Sequence, residues 1–142
     1  MQTGKPDFSL FDHTADLGIV VRGTDLKNLF QGGAKSMMQI MVIGKSHVKT
    51  RSVRLTVTGD GLSDLMVRWL GEVLYLLAGE KQVVTDVVIE SISPSRLDAT
   101  LKTVPFDPNL HEIVCEIKAV TYHQIQVAER GDRWEARIVF DL

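Results

Sequence analysis

Potential metal ligands are concentrated near both ends of this sequence. Asp12, His13 and Asp16 lie within one segment of five residues, Asp-His-Thr-Ala-Asp, and Asp141 is the second-last residue. The free terminal carboxylate of Leu142 adds an oxygen donor beside Asp141. If the fold brings the two ends together, they form an oxygen-rich cation site with one imidazole ligand, which favours calcium, magnesium or manganese over zinc. On spacing alone, a turn capped by its own aspartates is the alternative.

The segment that carries the first ligands is predicted to be a bend between two strands. Residues 8–11 and 17–22 favour extended structure, and apolar residues alternate along the second of these ranges. In a straight strand Asp12 and Asp16 would be about 13 Å apart. A shared ion therefore requires the chain to turn between them.

A hairpin at the other end is predicted to bring further polar residues to Asp141. Residues 113–128 read as one long strand or two successive strands, and the turn that begins at Gly131 leads back into a strand at 134–140. With a two-residue tip at Gly131, antiparallel pairing places Asp141 opposite Tyr122, give or take two residues. The residues then expected near the C-terminal carboxylates are Lys118, Thr121, Tyr122 and His123.

Two amphipathic helices are predicted to supply the core. The first has Thr24 as its N-cap and an apolar stripe with three methionines, but Gly32 and Gly33 interrupt it, so it should bend or rely on packing. The second covers residues 63–78 with a wider apolar arc, and Trp69 is interpreted as a core residue.

The remaining segments are predicted to be strands. Residues 48–58 alternate, and residues 83–92 and 97–104 form a hairpin across a Ser-Pro-Ser turn. These elements predict an α+β fold in which a mixed or antiparallel β-sheet packs with two main helices. One domain is expected over residues 1–142, with residues 1–6 as a flexible N-terminus.

Composition excludes several classes of protein. The formal net charge of −2 argues against binding nucleic acid by overall charge, although Lys45, Lys49, Arg51 and Arg54 form a basic stretch that could meet tRNA or simply be a solvated strand face. The single cysteine, Cys115, has no partner for an internal disulfide and is interpreted as a small buried apolar residue. No apolar run resembles a signal peptide or a membrane span. A cytoplasmic protein is expected.

The other histidines offer little chemistry. His47 and His111 are predicted to be solvated loop or edge residues. His123 is either a half-buried strand residue or a hydrogen-bond donor to a metal ligand. No activated nucleophile or general base can be named apart from the metal ligands, which argues against an independent hydrolase.

Five sequence blocks together resemble the archease family. They occur in the family's order between Phe8 and the last residue. The blocks are FDHTADLGI at 11–19, LGEVLYL at 70–76, PFD at 105–107, IKAVTYH at 117–123 and VFDL at 139–142. The Gly32-Gly33 pair departs from the family, which usually has better helix formers there.

The resemblance implies an accessory protein of RNA ligation that is not itself an enzyme. Archeases activate the RtcB-type tRNA ligase, which joins RNA ends carrying 2′,3′-cyclic phosphate or 3′-phosphate to 5′-hydroxyl ends. The family is understood to promote guanylylation of the ligase and its multiple turnover, in tRNA splicing or RNA repair. It is also described as a chaperone-like modulator of a tRNA cytosine methyltransferase. A standalone metal-dependent hydrolase is a third alternative, and direct contact with RNA or GTP stays open.

The resemblance also implies roles for individual residues. The metal ligands would be Asp12, His13, Asp16 and Asp141, with the Leu142 carboxylate as a further ligand. The expected ion is calcium, with magnesium or manganese as alternatives. A cation beside a lysine could orient the phosphates of GTP or an acidic group of the ligase. The residues expected to contact the partner or a phosphate are Lys118, Tyr122 and His123.

Overall fold

This computed structural model describes residues 5–12 and 16–142, except for the side chains of residues 11 and 12. The described part of the chain contains ten strands and two helices. In chain order they are β1 (Asp7–Asp12), β2 (Asp16–Gly23), α1 (Leu26–Met41), β3 (Val42–Ile43), β4 (Arg51–Thr58), α2 (Leu62–Ala78), β5 (Gln82–Ser93), β6 (Arg96–Pro105), β7 (Glu112–Ile113), β8 (Ala119–Val120), β9 (Gln126–Arg130) and β10 (Arg133–Asp141).

The strands form three antiparallel groups. The largest sheet has the order β1-β2-β10-β8, and β9 also pairs with β10. A second sheet has the order β4-β6-β5, and β3 pairs with β7. Every pairing is antiparallel. The predicted α+β fold is therefore confirmed, in its antiparallel form.

One hydrophobic core joins both helices to both larger sheets. Trp69 is fully buried in α2, and its Nε1 donates a hydrogen bond to the carbonyl of Phe30 in α1 at 2.9 Å. Phe140, the core residue of β10 nearest the candidate ligands, is also fully buried. The prediction that Trp69 is a core residue is confirmed, and its hydrogen bond satisfies the indole N–H at the helix contact.

The first helix differs from its prediction at two points. Its N-cap is Asp25, whose Oδ1 accepts from the Asn28 N–H at 2.7 Å, while the Thr24 N–H donates to Asn28 Oδ1 at 3.0 Å. The cap is one residue later than predicted because Asp25 completes this reciprocal pair. The helix also continues without a break through Gly32 and Gly33. A Cβ on Gly33 would lie 3.4 Å from the Met66 sulfur, which is van der Waals contact, so the helix contact has room for a methyl group but not for a large side chain.

The strand predictions are correct for the hairpins and wrong for the less regular segments. The hairpin of β5 and β6 and the two-residue tip between Arg130 and Arg133 are confirmed. Residues 48–58 begin their strand only at Arg51. Residues 113–128 form three short strands rather than one or two long ones, because turns interrupt them and the Val114 N–H bonds the Met41 carbonyl instead.

Burial tests the predictions for three single residues, His47, His111 and Cys115. His47 is exposed as predicted. His111 is not a solvated residue: it is 5% exposed, its Nδ1 accepts from the Asp107 N–H at 3.0 Å, and its ring stacks on Phe106. Cys115 is half-buried against the core.

Among the described residues, neither helix has the length and apolar character needed to cross a membrane.

Candidate functional site

The register of the large sheet brings the two predicted ligand segments together. β10 lies between β2 and β8, and its Asp141 pairs directly with Asp16 at the start of β2. Asp12 ends β1 opposite Leu17, at the same end of the sheet. Directly opposed residues in antiparallel strands point to the same face with Cβ atoms about 4.5–5.5 Å apart. The carboxylates of Asp16 and Asp141 therefore leave the sheet side by side.

These two carboxylates lie on the face of the sheet away from the core. Along β10, Ala136, Ile138 and Phe140 belong to the core cluster and are fully buried, whereas Asp141 is exposed and Asp16 is half-buried. Val139 shares the face of Asp141 and is also fully buried, but it lies outside that core cluster. Like charges directly opposed across a strand pair are destabilising. A divalent cation between them would reverse the sign of that interaction, and paired carboxylate oxygens are donors that suit a hard cation.

Lys118 lies beside this pair. Its backbone N–H donates to the Asp141 carbonyl at 2.8 Å, and the next residue, Ala119, pairs with Asp141 in β8. Its side chain is exposed. The predicted proximity of Lys118 to the C-terminal acids is correct at the level of the backbone.

The predicted pairing of Asp141 with Tyr122 is wrong. The hairpin register holds from Arg133 and Arg130 only as far as Arg137 and Gln126. A turn then intervenes in which Gln124 has φ of 54°, and pairing resumes with Asp141 opposite Ala119. The extra residues of this turn shift the register by three positions, so Tyr122 and His123 lie in the turn and not on a strand.

Tyr122 contacts α2. Its hydroxyl donates to Asp64 Oδ1 at 2.6 Å, and Arg68 Nε donates to Asp64 Oδ2 at 2.9 Å. The Asp60 N–H also donates to Asp64 Oδ2, at 2.8 Å. The hydrogen bond from Tyr122, with those from Asp60 and Arg68, lowers the pKa of the Asp64 carboxyl, and the same bond to Asp64 raises the pKa of Tyr122. Tyr122 thus fastens the turn before β9 to the first turn of α2.

The polar contacts of this turn also involve its neighbours. Thr121 donates to the Val139 carbonyl from both its N–H, at 3.0 Å, and its hydroxyl, at 2.8 Å. His123 is exposed, and its N–H bonds Thr121 Oγ1 at 3.2 Å.

The sequence did not indicate Asp64 or Arg68, because an acid and an arginine four residues apart on a helix usually form only a surface ion pair.

Part of the predicted ligand set lies outside the described residues. This applies to His13 and to the side chain of Asp12. Among the side chains that the structure describes, no group of three or more Asp, Glu, His or Cys residues comes together as a metal site. The described part of the predicted site consists of Asp16, Asp141 and the exposed Leu142.

A separate apolar region lies near the β3 and β7 pair. It contains a cavity of about 250 Å³ at the C-terminal end of α2, whose lining includes Met41, Leu77, Phe106, Ile113 and Ile117. Exposed apolar side chains occur on this strand pair and the residues next to it. They are Ile43, Leu110, Ile113 and Val114.

This geometry defines a class of small antiparallel α+β proteins. In this class the first hairpin and the last strand each contribute one carboxylate to a pair. The chain belongs to the archease family. A model of the Archease protein family (MTH1598/TM1083) matches residues 8–142. The resemblance in the five sequence blocks is thereby confirmed.

Relatives of known name and structure agree with this membership. The chain is 31% identical over 140 residues to an archease of Methanosarcina acetivorans, covering 95% of both chains. It is 33% identical over 136 residues to an archease of Pyrococcus furiosus, covering 93% of this chain and 96% of the relative.

Two solved structures are similar to this fold. The solution structure of Methanobacterium thermoautotrophicum protein 1598 is 27% identical, with a TM-score of 0.72 over 95% of this chain and 98% of that one. A crystal structure of an archease from Thermotoga maritima, described as a possible chaperone, has a TM-score of 0.65 over 100% of this chain and 98% of that one. At 17% identity the second likeness concerns the fold alone.

Proposed function

We propose that this protein is a non-catalytic activator of an RtcB-type RNA ligase, which acts in the cytoplasm in tRNA splicing or RNA repair. It promotes guanylylation of the ligase and its multiple turnover, and the ligase carries the guanylate. Membership of the archease family supports this proposal. The observation that carries it is the pairing of Asp16 with Asp141, beside the backbone of Lys118.

The activator uses a divalent cation, calcium in the first instance, with magnesium or manganese as alternatives. Asp12, His13, Asp16 and Asp141 hold it, and the Leu142 carboxylate is a further ligand. The described donors fit such an ion because they are carboxylate oxygens that face away from the core. When bound, the ion supplies a concentrated positive charge for phosphate or carboxylate oxygens.

Three further residues have distinct parts in this proposal. The exposed ammonium group of Lys118 contacts a phosphate of GTP or an acidic group of the ligase. Tyr122 acts indirectly, because its hydroxyl is engaged by Asp64 and holds the turn beside β8. His123 is exposed in the same turn and contacts the partner.

A multiple-turnover ligation assay tests the proposal. The ligase is given an excess of RNA ends and GTP, with this protein at one tenth of the ligase concentration. We expect the wild type to raise the number of turnovers, and Asp16→Ala and Asp141→Ala to lose most of that effect. Asp132→Ala is the matched control, because Asp132 is an exposed acid at the tip of the hairpin that contains Asp141. Full activation by both site variants, measured together with loss of the ion, would reduce the cation to a structural role.

A chaperone-like action on a tRNA cytosine methyltransferase is the second candidate. It is favoured by the description of the Thermotoga maritima archease as a possible chaperone and by the exposed apolar side chains near β3 and β7. A chaperone should suppress aggregation of the methyltransferase in the absence of any ligase. In that case Ile43→Ser and Val114→Ser should remove the effect, while Asp16→Ala should leave it unchanged.

A further inference from the structure

The outer side of β4 is an open strand edge. On its other side β4 pairs with β6 over all eight residues without a shift in register. No backbone hydrogen bond joins residues 51–58 to any other described segment on the open side. In an antiparallel sheet alternate residues direct their N–H and C=O groups to opposite sides of the strand. Half of the backbone groups of β4 are therefore available to another strand.

The other edges of the two larger sheets are less suited to pairing. β5 has register irregularities between Val84 and Asp86 and between Ile89 and Ser91, and bulges of this kind blunt an edge. It also packs against α1. β1 has only six residues, and its Asp7 is engaged in ion pairs. At the opposite edge of that sheet, β8 has two residues and β9 has five. Among the described strands, β4 offers a regular edge that neither a bulge nor a proline interrupts.

The core face of the sheet is only partly covered at β4. Val53 and Leu55 point to the same face as their partners Leu101 and Ala99 in β6. Those partners are almost completely buried, whereas Val53 and Leu55 are only half-buried. An additional strand along β4 would cover the remaining apolar surface of these two side chains, which favours its addition.

The same edge is positively charged. Residues 42–59 contain no Asp or Glu, in a chain whose net charge is −2. Lys45, Lys49 and Arg51 are exposed, and no ion pair joins them to a described residue. Arg54 is 80% exposed, and its ion pair with the carboxylate of Glu90 is long, at 3.7 Å. A second copy of this chain would oppose like charges here, so an acidic partner fits better.

We propose that the open edge of β4 binds an acidic, extended segment of a partner protein, which adds to the sheet as a further strand. Alternate apolar side chains of that segment cover Val53 and Leu55. Its acidic side chains lie on the opposite face of the sheet, on the side of Arg54, and a further acid at the end of the segment lies near Lys49 and Arg51. A peptide is favoured over single-stranded RNA because residues 42–59 contain no Phe, Tyr or Trp on which bases could stack. This site is independent of the candidate cation site.

A peptide titration of the full-length protein tests this proposal. The probe is a synthetic ten-residue peptide of alternating glutamate and valine, followed by amide NMR of the ¹⁵N-labelled protein. We expect shift changes and slower amide exchange confined to residues 51–58 and their neighbours. The double variant Lys49→Glu, Arg54→Glu should weaken binding about tenfold or more, because Arg54 lies on the face that the glutamates of the peptide occupy. Lys5→Glu, Lys27→Glu is the control with the same change in net charge, since both lysines are exposed and lie outside residues 42–59.

A peptide that contains proline separates strand addition from simple charge attraction. Proline at two central positions of the peptide removes backbone donors, so it should abolish binding if a strand is added. Equal affinity of the proline peptide would overturn the proposal. So would tighter binding of a single-stranded oligonucleotide at the same residues, or a dimer of the wild type in sedimentation that the β4 double variant disrupts.

Discussion

Replacing Asp141 with asparagine should have opposite effects on stability without and with a divalent cation. In the absence of a cation, the two carboxylates paired at Asp16 and Asp141 repel each other. At about 5 Å the Coulomb energy of two unit charges in water is about 0.8 kcal/mol, and salt reduces it to roughly 0.5 kcal/mol. Asp141→Asn removes this repulsion and should raise the free energy of unfolding by that amount. For a chain of this length the melting temperature should rise by about 2 °C.

With saturating cation the order of the two proteins should reverse. A ligand that binds only the folded state stabilises it by about 2.7 kcal/mol at one hundred times its dissociation constant. For the wild type this corresponds to a rise of about 8–10 °C in melting temperature. Asp141→Asn lacks one anionic ligand, so its rise should be much smaller. Asp16→Asn should behave in the same way, because its carboxylate is the other half of the pair.

Calorimetry of each protein checks this reversal, first in chelator and then across a calcium titration. Magnesium and manganese titrations in the same format rank the three ions. Asp132→Asn is the control and should follow the wild type in both conditions. If Asp141→Asn melted lower than the wild type in chelator and kept the full calcium-dependent rise, the Asp141 carboxylate would be neither repelled by Asp16 nor a ligand.

Three further predictions concern the framework of the fold. Trp69→Phe should lower the free energy of unfolding in urea by about 2–3 kcal/mol, because it leaves a cavity and removes the bond to the Phe30 carbonyl; a loss below about 0.5 kcal/mol would contradict this account. Gly33→Ala should raise stability by up to about 1 kcal/mol through helix propensity, whereas Gly33→Leu should lower it by about 1–3 kcal/mol by overpacking the helix contact. Both are measured by thermal unfolding, and equal effects of the two variants would refute the packing argument. Hydrogen bonds led by that from Arg96 lower the pKa of Asp98 to about 2, so this carboxylate stabilises the fold above its unfolded pKa of about 3.9 and loses that contribution as pH falls towards 2. Acid unfolding of Asp98→Asn should therefore depend less on pH in that range than that of the wild type.

Turn residues and alternating apolar residues in the sequence correctly predicted the hairpins of the fold. The hairpin of β9 and β10 is encoded by the turn at Gly131 and by alternating residues on both sides of it. The arrangement of β2 beside β10 is different, because no local pattern encodes which strand becomes the neighbour of Asp141. The resemblance to archeases, and not a local pattern, predicts that the two ends of the chain meet.

The errors have a common physical cause, which is that side-chain contacts replaced regular strand pairing. Tyr122 lies in an irregular turn because its hydroxyl bonds Asp64 of α2, and alternation along the strand could not predict a partner on a helix. His111 follows a loop that contains prolines, a position that favours exposure to solvent. It is buried because its Nδ1 satisfies the Asp107 N–H and its ring stacks on Phe106.

The central position of β10 has a consequence for how the protein forms. The ion-paired residues Asp7 and Arg133 are 126 positions apart in the chain, and their strands flank β2 on opposite sides. Contacts of such sequence separation require a large loss of loop entropy before they contribute, which slows folding. During synthesis, the β1–β2 hairpin emerges from the ribosome long before β10. Until β10 emerges, the edge of β2 that it later covers is unpaired. The large sheet is therefore completed only after residues 133–141 have emerged, and the Asp16–Asp141 pair is among the last contacts to form.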